Sequence, residues 1–165
     1  MLTDPATLAR YNAWANARLH KACATLSAEA LAKPRKAFFG SIMGTLNHIL
    51  LVDILYRDRL EKRPTRFKLL DETVHTDLAS LSQDQQEQDR WYIDAMVRLD
   101  PARLCEPFPF YTLPDNQYFS CPLDVCLGNL FQHQIHHRGQ THGLLSQADL
   151  DPPPLDYITF RIEHP

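Results

Sequence analysis

Cysteine, glycine and long apolar runs are all scarce in this chain, and each shortage narrows what the protein is. The four cysteines, Cys23, Cys105, Cys121 and Cys126, form no Cys-x-x-Cys pair, which excludes a zinc ribbon and a thioredoxin-type motif. No apolar stretch approaches the ~20 residues needed to span a bilayer. The segment Met1–Pro5 lacks the basic and apolar regions of an export signal. The expectation is a cytoplasmic protein with reduced thiols and no membrane partner. A basic stripe is missing too, and the net charge is −3, so nucleic acid is not an expected partner. The chain has no internal repeats.

The remaining composition is that of an ordinary globular protein, and 165 residues are enough for one domain over 1–165 with a real core. Apolar periodicity predicts four helices. The first runs from Pro5 to about Leu26, capped by Thr3 or Asp4 with proline in the first position, and buries Leu8, Tyr11, Ala15, Leu19, Ala22 and Leu26. A linker over 27–40 follows, with a short turn at Glu29–Leu31. The second helix spans about Ser41–Glu61, with Ile42, Thr45, Ile49, Val52 and Tyr56 on its buried arc. The third spans about Thr76–Leu99. Gln85 and Gln88 interrupt its seam, so it is either peripheral or lines something wet. Residues 100–120 contain Pro107, Pro109 and Pro114, which forbid helix. The alternation of Phe108, Phe110 and Thr112 predicts a short hairpin or an extended loop. The fourth helix is expected within Ser120–Ala148, with no proline from Leu123 to Leu150 and with Pro152–Pro154 ending it, and the tail Leu155–Ile162 is apolar enough to pack back on the body. The expected fold is all-α, a four-helix bundle with long connections; the connections leave the up-down order open.

Chemistry concentrates on the fourth helix, in Leu130-Phe131-Gln132-His133-Gln134-Ile135-His136-His137-Arg138-Gly139-Gln140. His133 and His137 lie on the apolar arc with Leu123, Cys126, Leu127, Leu130, Thr141, Leu144 and Ala148. His136 is on its edge, and His142 is opposite. Imidazoles at i and i+4 stack about 5–6 Å apart at Cβ, a chelating geometry for one divalent ion. The spacing alone is weak evidence; its position on a buried face strengthens it, because each histidine there needs a partner. Cys126, seven residues before His133, is about 10 Å away along the axis and reads as core. On the second helix, His48 borders the buried arc. A lone histidine there is most often a core residue bonded to a carbonyl, yet it is also the candidate third ligand. His75 has no partner at helical spacing and reads as surface.

Three histidines would leave one coordination position open, as in a catalytic site, for water, a thiol or a carbonyl. Zinc and nickel both suit imidazole. The His-Glu-x-x-His peptidase motif is absent, because Gln134 stands at the position of its glutamate, and His136 breaks the reversed motif. Gln140, one turn beyond His137, and His136 are candidates for contact with a ligand or with the substrate; no catalytic residue is otherwise assigned. Gly139 and Gly143 cost about 1 kcal/mol each inside a helix, which close approach by the first helix or by a second subunit would offset.

The blocks Tyr11-Asn12-Ala13-Trp14-Ala15-Asn16, Asn47-His48-Ile49-Leu50 and His133-Gln134-Ile135-His136-His137-Arg138-Gly139-Gln140, with Leu144–Ala148 and Leu155-Asp156-Tyr157, occur in the same order in the DinB family of metalloenzymes, which the chain resembles over its whole length. The resemblance implies a four-helix bundle, often a homodimer, with His48, His133 and His137 as metal ligands and His136 outside the ligand set. The block Cys126-Leu127-Gly128-Asn129 departs from the more apolar or histidine-containing versions. Relatives include transferases and isomerases that use low-molecular-weight thiols and others described as metal-dependent hydrolases, so the expected substrate is a small molecule. The alternatives are a non-catalytic metal-binding or stress-response helical dimer with a structural ion, and a helical dimerisation module with core histidines and no ion.

Overall fold

The computed structural model describes residues 4–165 and is mostly helical; Thr3, one of the two expected caps, lies outside the described residues. Asp4 does the capping. Its carboxylate accepts from the Thr7 amide at 2.9 Å and from the Thr7 hydroxyl at 2.7 Å, and Pro5 opens α1 (Pro5–Cys23). This helix stops three residues before the expected Leu26. The chain must turn there, so that Ser27 can cap the short α2 (Ala28–Ala32). Ser41 caps α3 (Ile42–Leu60), accepting from the Gly44 amide at 3.0 Å. Asp77 caps α4 (Leu78–Val97), accepting from Ser80 at 2.9 Å. A 3-10 turn (Pro101–Cys105) leads into β1 (Pro107–Tyr111) and β2 (Tyr118–Pro122). These two strands pair antiparallel with Phe108 opposite Cys121 and Phe110 opposite Phe119, so of the two expectations for this segment the hairpin is the one observed. The long α5 (Leu123–Ser146) follows, and α6 (Tyr157–Glu163) closes the chain.

The four long helices make their main contacts in a ring: α1 packs on α4 and α5, and α3 packs on the same two. Two apolar clusters fill the ends. One joins Leu19 and Cys23 of α1 to Ile42 and Leu46 of α3, Leu81 of α4 and Leu144 of α5. The other joins Ala9 of α1 to Tyr56 of α3, Met96 of α4 and Leu127 of α5. The end of α1 therefore meets the start of α3, the start of α4 and the end of α5. So α1 and α5 run one way, and α3 and α4 run the other. Because α3 and α4 are parallel neighbours, residues 61–77 must return along the length of the molecule. Phe67, Leu70 and Val74 anchor that connection on the core. Asn47 clamps its end, donating to the His75 carbonyl at 3.0 Å and accepting from the Val74 and His75 amides at 2.7 and 2.9 Å.

Two expectations need correction. Gln85 and Gln88 do not make α4 peripheral, since they are 1% and 4% exposed and hydrogen-bonded to neighbouring side chains. Gly139 and Gly143 meet no neighbour within the chain: a Cβ on either would find no atom within 4 Å, so of the two expected neighbours α1 does not approach them closely. The tail does pack back, with Phe160 of α6 buried against Tyr11 and Trp14. No described helix is long and apolar enough to cross a membrane.

Candidate metal centre

His48 on α3 faces His133 and His137 on α5, and one nitrogen from each lies within 4.8 Å of the others. The closest pair is His48 Nε2 and His133 Nε2 at 3.0 Å. His48 is 4% and His137 8% exposed, and His133 is half-buried. Helical geometry explains the pair on α5: residues four apart share a face. His48 joins them because α3 packs directly on α5.

Neighbouring groups set two of the three ring tautomers. His48 Nδ1–H donates to the Leu70 carbonyl at 2.7 Å, which leaves Nε2 with its lone pair toward the cluster. His137 Nδ1–H donates to Gln140 Oε1 at 2.9 Å, and Gln140 Nε2 donates to His136 Nε2 at 2.9 Å. Both expected accessory residues therefore sit in one chain of bonds behind His137, with His136 turned to Gln140. His133 Nδ1 is buried without a hydrogen-bond partner. Its ring is held by packing, 4.9 Å from the His48 ring and 4.3 Å from the His137 ring. Phe39, from the turn before α3, stacks on His48 at 3.9 Å and meets the His137 ring at 5.5 Å.

Burial disfavours the charged form of all three imidazoles. Desolvation is the leading cause in each case. It lowers His48 to about 4 against the opposing bond to Leu70. It lowers His133 to about 3, helped by its histidine neighbours, and it lowers His137 against the opposing bond to Gln140. Among the described residues no carboxylate, cysteine or further histidine joins the cluster. An all-nitrogen donor set, with the tautomers of His48 and His137 fixed by their neighbours, fits a borderline ion such as zinc or nickel. It does not suit a hard ion that seeks oxygen ligands.

The remaining sequence candidates lie elsewhere. Cys126 is buried in the apolar cluster at the hairpin end. His75, expected at the surface with no partner at helical spacing, is partly exposed and meets Asp84, nine residues on, at 3.1 Å. His142 reaches the Pro153 carbonyl at 3.2 Å. The sequence reading missed Leu70 and Phe39, since a backbone carbonyl and a loop aromatic leave no periodic trace. It also missed a polar layer through the interior. Gln134 and Arg138, each one residue after a site histidine, are 0% and 2% exposed. The available signal was a set of polar pairs spaced four apart beside apolar stripes: Asn12 and Asn16, Gln85 and Asp89, Gln134 and Arg138.

A helical protein with a buried cluster of three imidazoles and no acidic ligand is the class that fold and site define. The chain matches the DinB family over residues 1–163 and belongs to that family. A solved DinB-like protein from Bacillus cereus is 21% identical, with a TM-score of 0.61 over 85% of this chain and 89% of that one; at this identity the likeness shows the fold alone. No curated protein matches the chain.

Proposed function

We propose that the chain binds one divalent metal ion, zinc or nickel, through His48, His133 and His137, and acts as a metal-dependent enzyme on a small molecule. The convergence of three neutral imidazole nitrogens within 4.8 Å is the observation that carries this reading. The helices act as a four-helix bundle that holds ligands on two facing elements. With three protein ligands the ion keeps a position for substrate, and when bound it would supply acidification of a coordinated water or thiol. His137, His48 and their carbonyl and amide partners would hold the donor atoms in place, and Phe39 would cover one face of the site.

Transfer or isomerisation with a low-molecular-weight thiol is the first chemistry to test, and hydrolysis the second. A purely structural ion is less well supported, because it favours a closed fourth ligand and His136 is engaged by Gln140. We also read the protein as a cytoplasmic homodimer. The exposed groove between α1 and α5, about 650 Å³ and lined by Pro5, Leu8, Val125, Gly128 and Ile135, would be the contact face.

The test is elemental mass spectrometry on untagged protein beside a His133→Ala/His137→Ala variant. We expect one zinc or nickel per chain in the parent and none in the variant. Equal metal content in both would overturn the ligand assignment. Thiol-dependent loss of an electrophile would then separate transfer from hydrolysis, and activity surviving removal of all three histidines would exclude both.

A further inference from the structure

Between the two apolar clusters the interior is polar. Asn12 and Asn16 of α1, Asp53 of α3, Gln85 and Asp89 of α4, and Gln134 and Arg138 of α5 are each at most 5% exposed. One guanidinium serves two carboxyl groups, so the layer holds an excess negative charge unless one carboxyl keeps a proton. Burying an unpaired charge is costly enough that the group is neutralised instead.

The hydrogen bonds divide the two carboxyls unequally. Asp89 Oδ1 accepts from Asn16 Nδ2 at 2.9 Å, Asn12 Nδ2 at 3.3 Å and Gln85 Nε2 at 3.4 Å. The two asparagines in turn accept from Arg138 Nη1, Asn16 at 3.0 Å and Asn12 as well. Asp89 is thus wired to the guanidinium through two amides. Asp53 touches no cation. Its oxygens meet only carboxamides, Oδ2 with Gln85 Nε2 at 2.7 Å and Oδ1 with Gln134. Gln85 Oε1 and Gln134 Oε1 are left buried without partners. The two ends of a carboxamide have the same shape, and their assignment follows from the network. The nitrogen of Gln85 also serves Asp89, so that amide must stay as it is. Apart from Asp53, the nitrogen of Gln134 reaches only the Ile49 carbonyl at 3.4 Å, so turning its oxygen to Asp53 gives up that one long bond and moves the nitrogen to where the oxygen now has no partner.

We propose that Asp53 is a neutral carboxylic acid whose O–H donates to Gln134 Oε1, and that this bond makes Asp53 a positioning residue for the histidines of α5. Gln134 and Arg138 follow His133 and His137 by one residue, about 100° around the helix. A clamp on these inner positions sets the rotation and register with which the histidine pair meets His48. The positioning half rests on the metal-binding reading above. The groups facing Asp53 agree with the protonation. From α4 come Asp89 and Tyr92, whose hydroxyl donates to the Asp53 carbonyl at 2.7 Å, and from α5 come Gln134 and Arg138. From α1 come Asn12, Asn16 and, on the side of Arg138, His20. Burial, then the field of Asp89, pushes Asp53 up to about 8.

The test compares the parent with Asp53→Asn, which is isosteric with the neutral acid, in urea unfolding at several pH values. The unfolded parent releases the Asp53 proton near the ordinary value of 3.8, and the folded parent keeps it to about 8. Between these values the parent must lose about tenfold in folding equilibrium constant per pH unit relative to D53N, while the other titrating groups cancel. A difference that stays flat from pH 5 to about 7.5 overturns the protonation. For positioning, Asp53→Leu should weaken zinc binding about tenfold or more and D53N should restore it. Leu51→Ala, a purely apolar loss on the same helix, should leave zinc affinity unchanged. Parent-like zinc affinity in D53L overturns the positioning role. If D53L does not fold, the ¹³C carboxyl resonance of Asp53 in the parent decides the first half, and weaker zinc binding by Gln134→Leu decides the second. A parent that takes up no zinc or nickel removes the metal reading and the positioning role with it; the pH slope still decides the proton.

Discussion

At the scale of single residues, the candidate centre depends on groups that never touch an ion. Gln140 accepts from His137 and donates to His136, and so fixes which nitrogen of His137 is free. Replacing it by alanine should weaken zinc binding 10- to 100-fold, on the order seen when such supporting groups are lost. The melting temperature of the metal-free protein should hardly move. Calorimetric titration checks this, and parent-like affinity in the variant would detach Gln140 from the site. A second residue carries a pH signature away from the cluster. His20 is buried against Ser82, at 3.0 Å from its hydroxyl. Burial, then the field of Arg138, lowers it to about 4 from the ordinary 6.5. Between those values the unfolded chain takes up a proton that the folded chain refuses. Stability present above 6.5 must therefore fall as the pH drops toward 4. A His20→Asn variant should show a flatter fall over that window by thermal melting, and an unchanged slope would place the acid sensitivity elsewhere.

At the scale of elements, the turn before α3 is fitted to the site by one glycine. A Cβ at Gly44 would stand 2.1 Å from the Phe39 carbonyl oxygen, a backbone atom that has no room to yield. Gly44→Ala should cost about 1–3 kcal/mol, the usual scale of overpacking. It should also shift the Phe39 ring off His48, which would show as altered histidine proton resonances. Gly139→Ala is the opposite case. Its Cβ meets nothing within the chain, so the variant should gain about 1 kcal/mol from helix propensity. If a second copy packs on the α1 and α5 groove, Gly128→Ala, which places a methyl in the lining of that groove, should weaken self-association in sedimentation experiments. The helices themselves were readable from apolar spacing, and the first cap was narrowed to Thr3 or Asp4, whereas the caps Ser41 and Asp77 emerged only with the structure. Their ends shifted by up to a few residues because a final turn is decided by where the chain must go next, as Ser27 does for α1.

At the scale of the whole molecule, the candidate centre joins α3 to α5, and the return segment over 61–77 adds the Leu70 carbonyl to it. A ligand that binds only the folded form stabilises it by mass action. Zinc at 100 times its dissociation constant should therefore add about 2.7 kcal/mol, read as a rise in melting temperature, and His48→Ala should abolish the rise. An equal rise in that variant would put the ion on another set of residues. The arrangement of parallel and antiparallel helices could not be read in advance, because all three connections are long enough to permit several orders.

The sequence by itself determined the helical class, the break at residues 100–120, the family, and which histidines to watch, because each is written in local spacing or in residues close together along the chain. Only the tertiary structure decided that His48 meets His133 and His137, that Leu70 and Phe39 attend them, and that Asn12, Asn16, Asp53, Gln85, Asp89, Gln134 and Arg138 share one buried interior layer. Polar residues on a helix read as its solvent face unless partners on other helices satisfy them. Those partners lie up to 126 positions away, as Asn12 does from Arg138. Their meeting is a consequence of which helix faces pack together, and periodicity along one helix does not specify its neighbour.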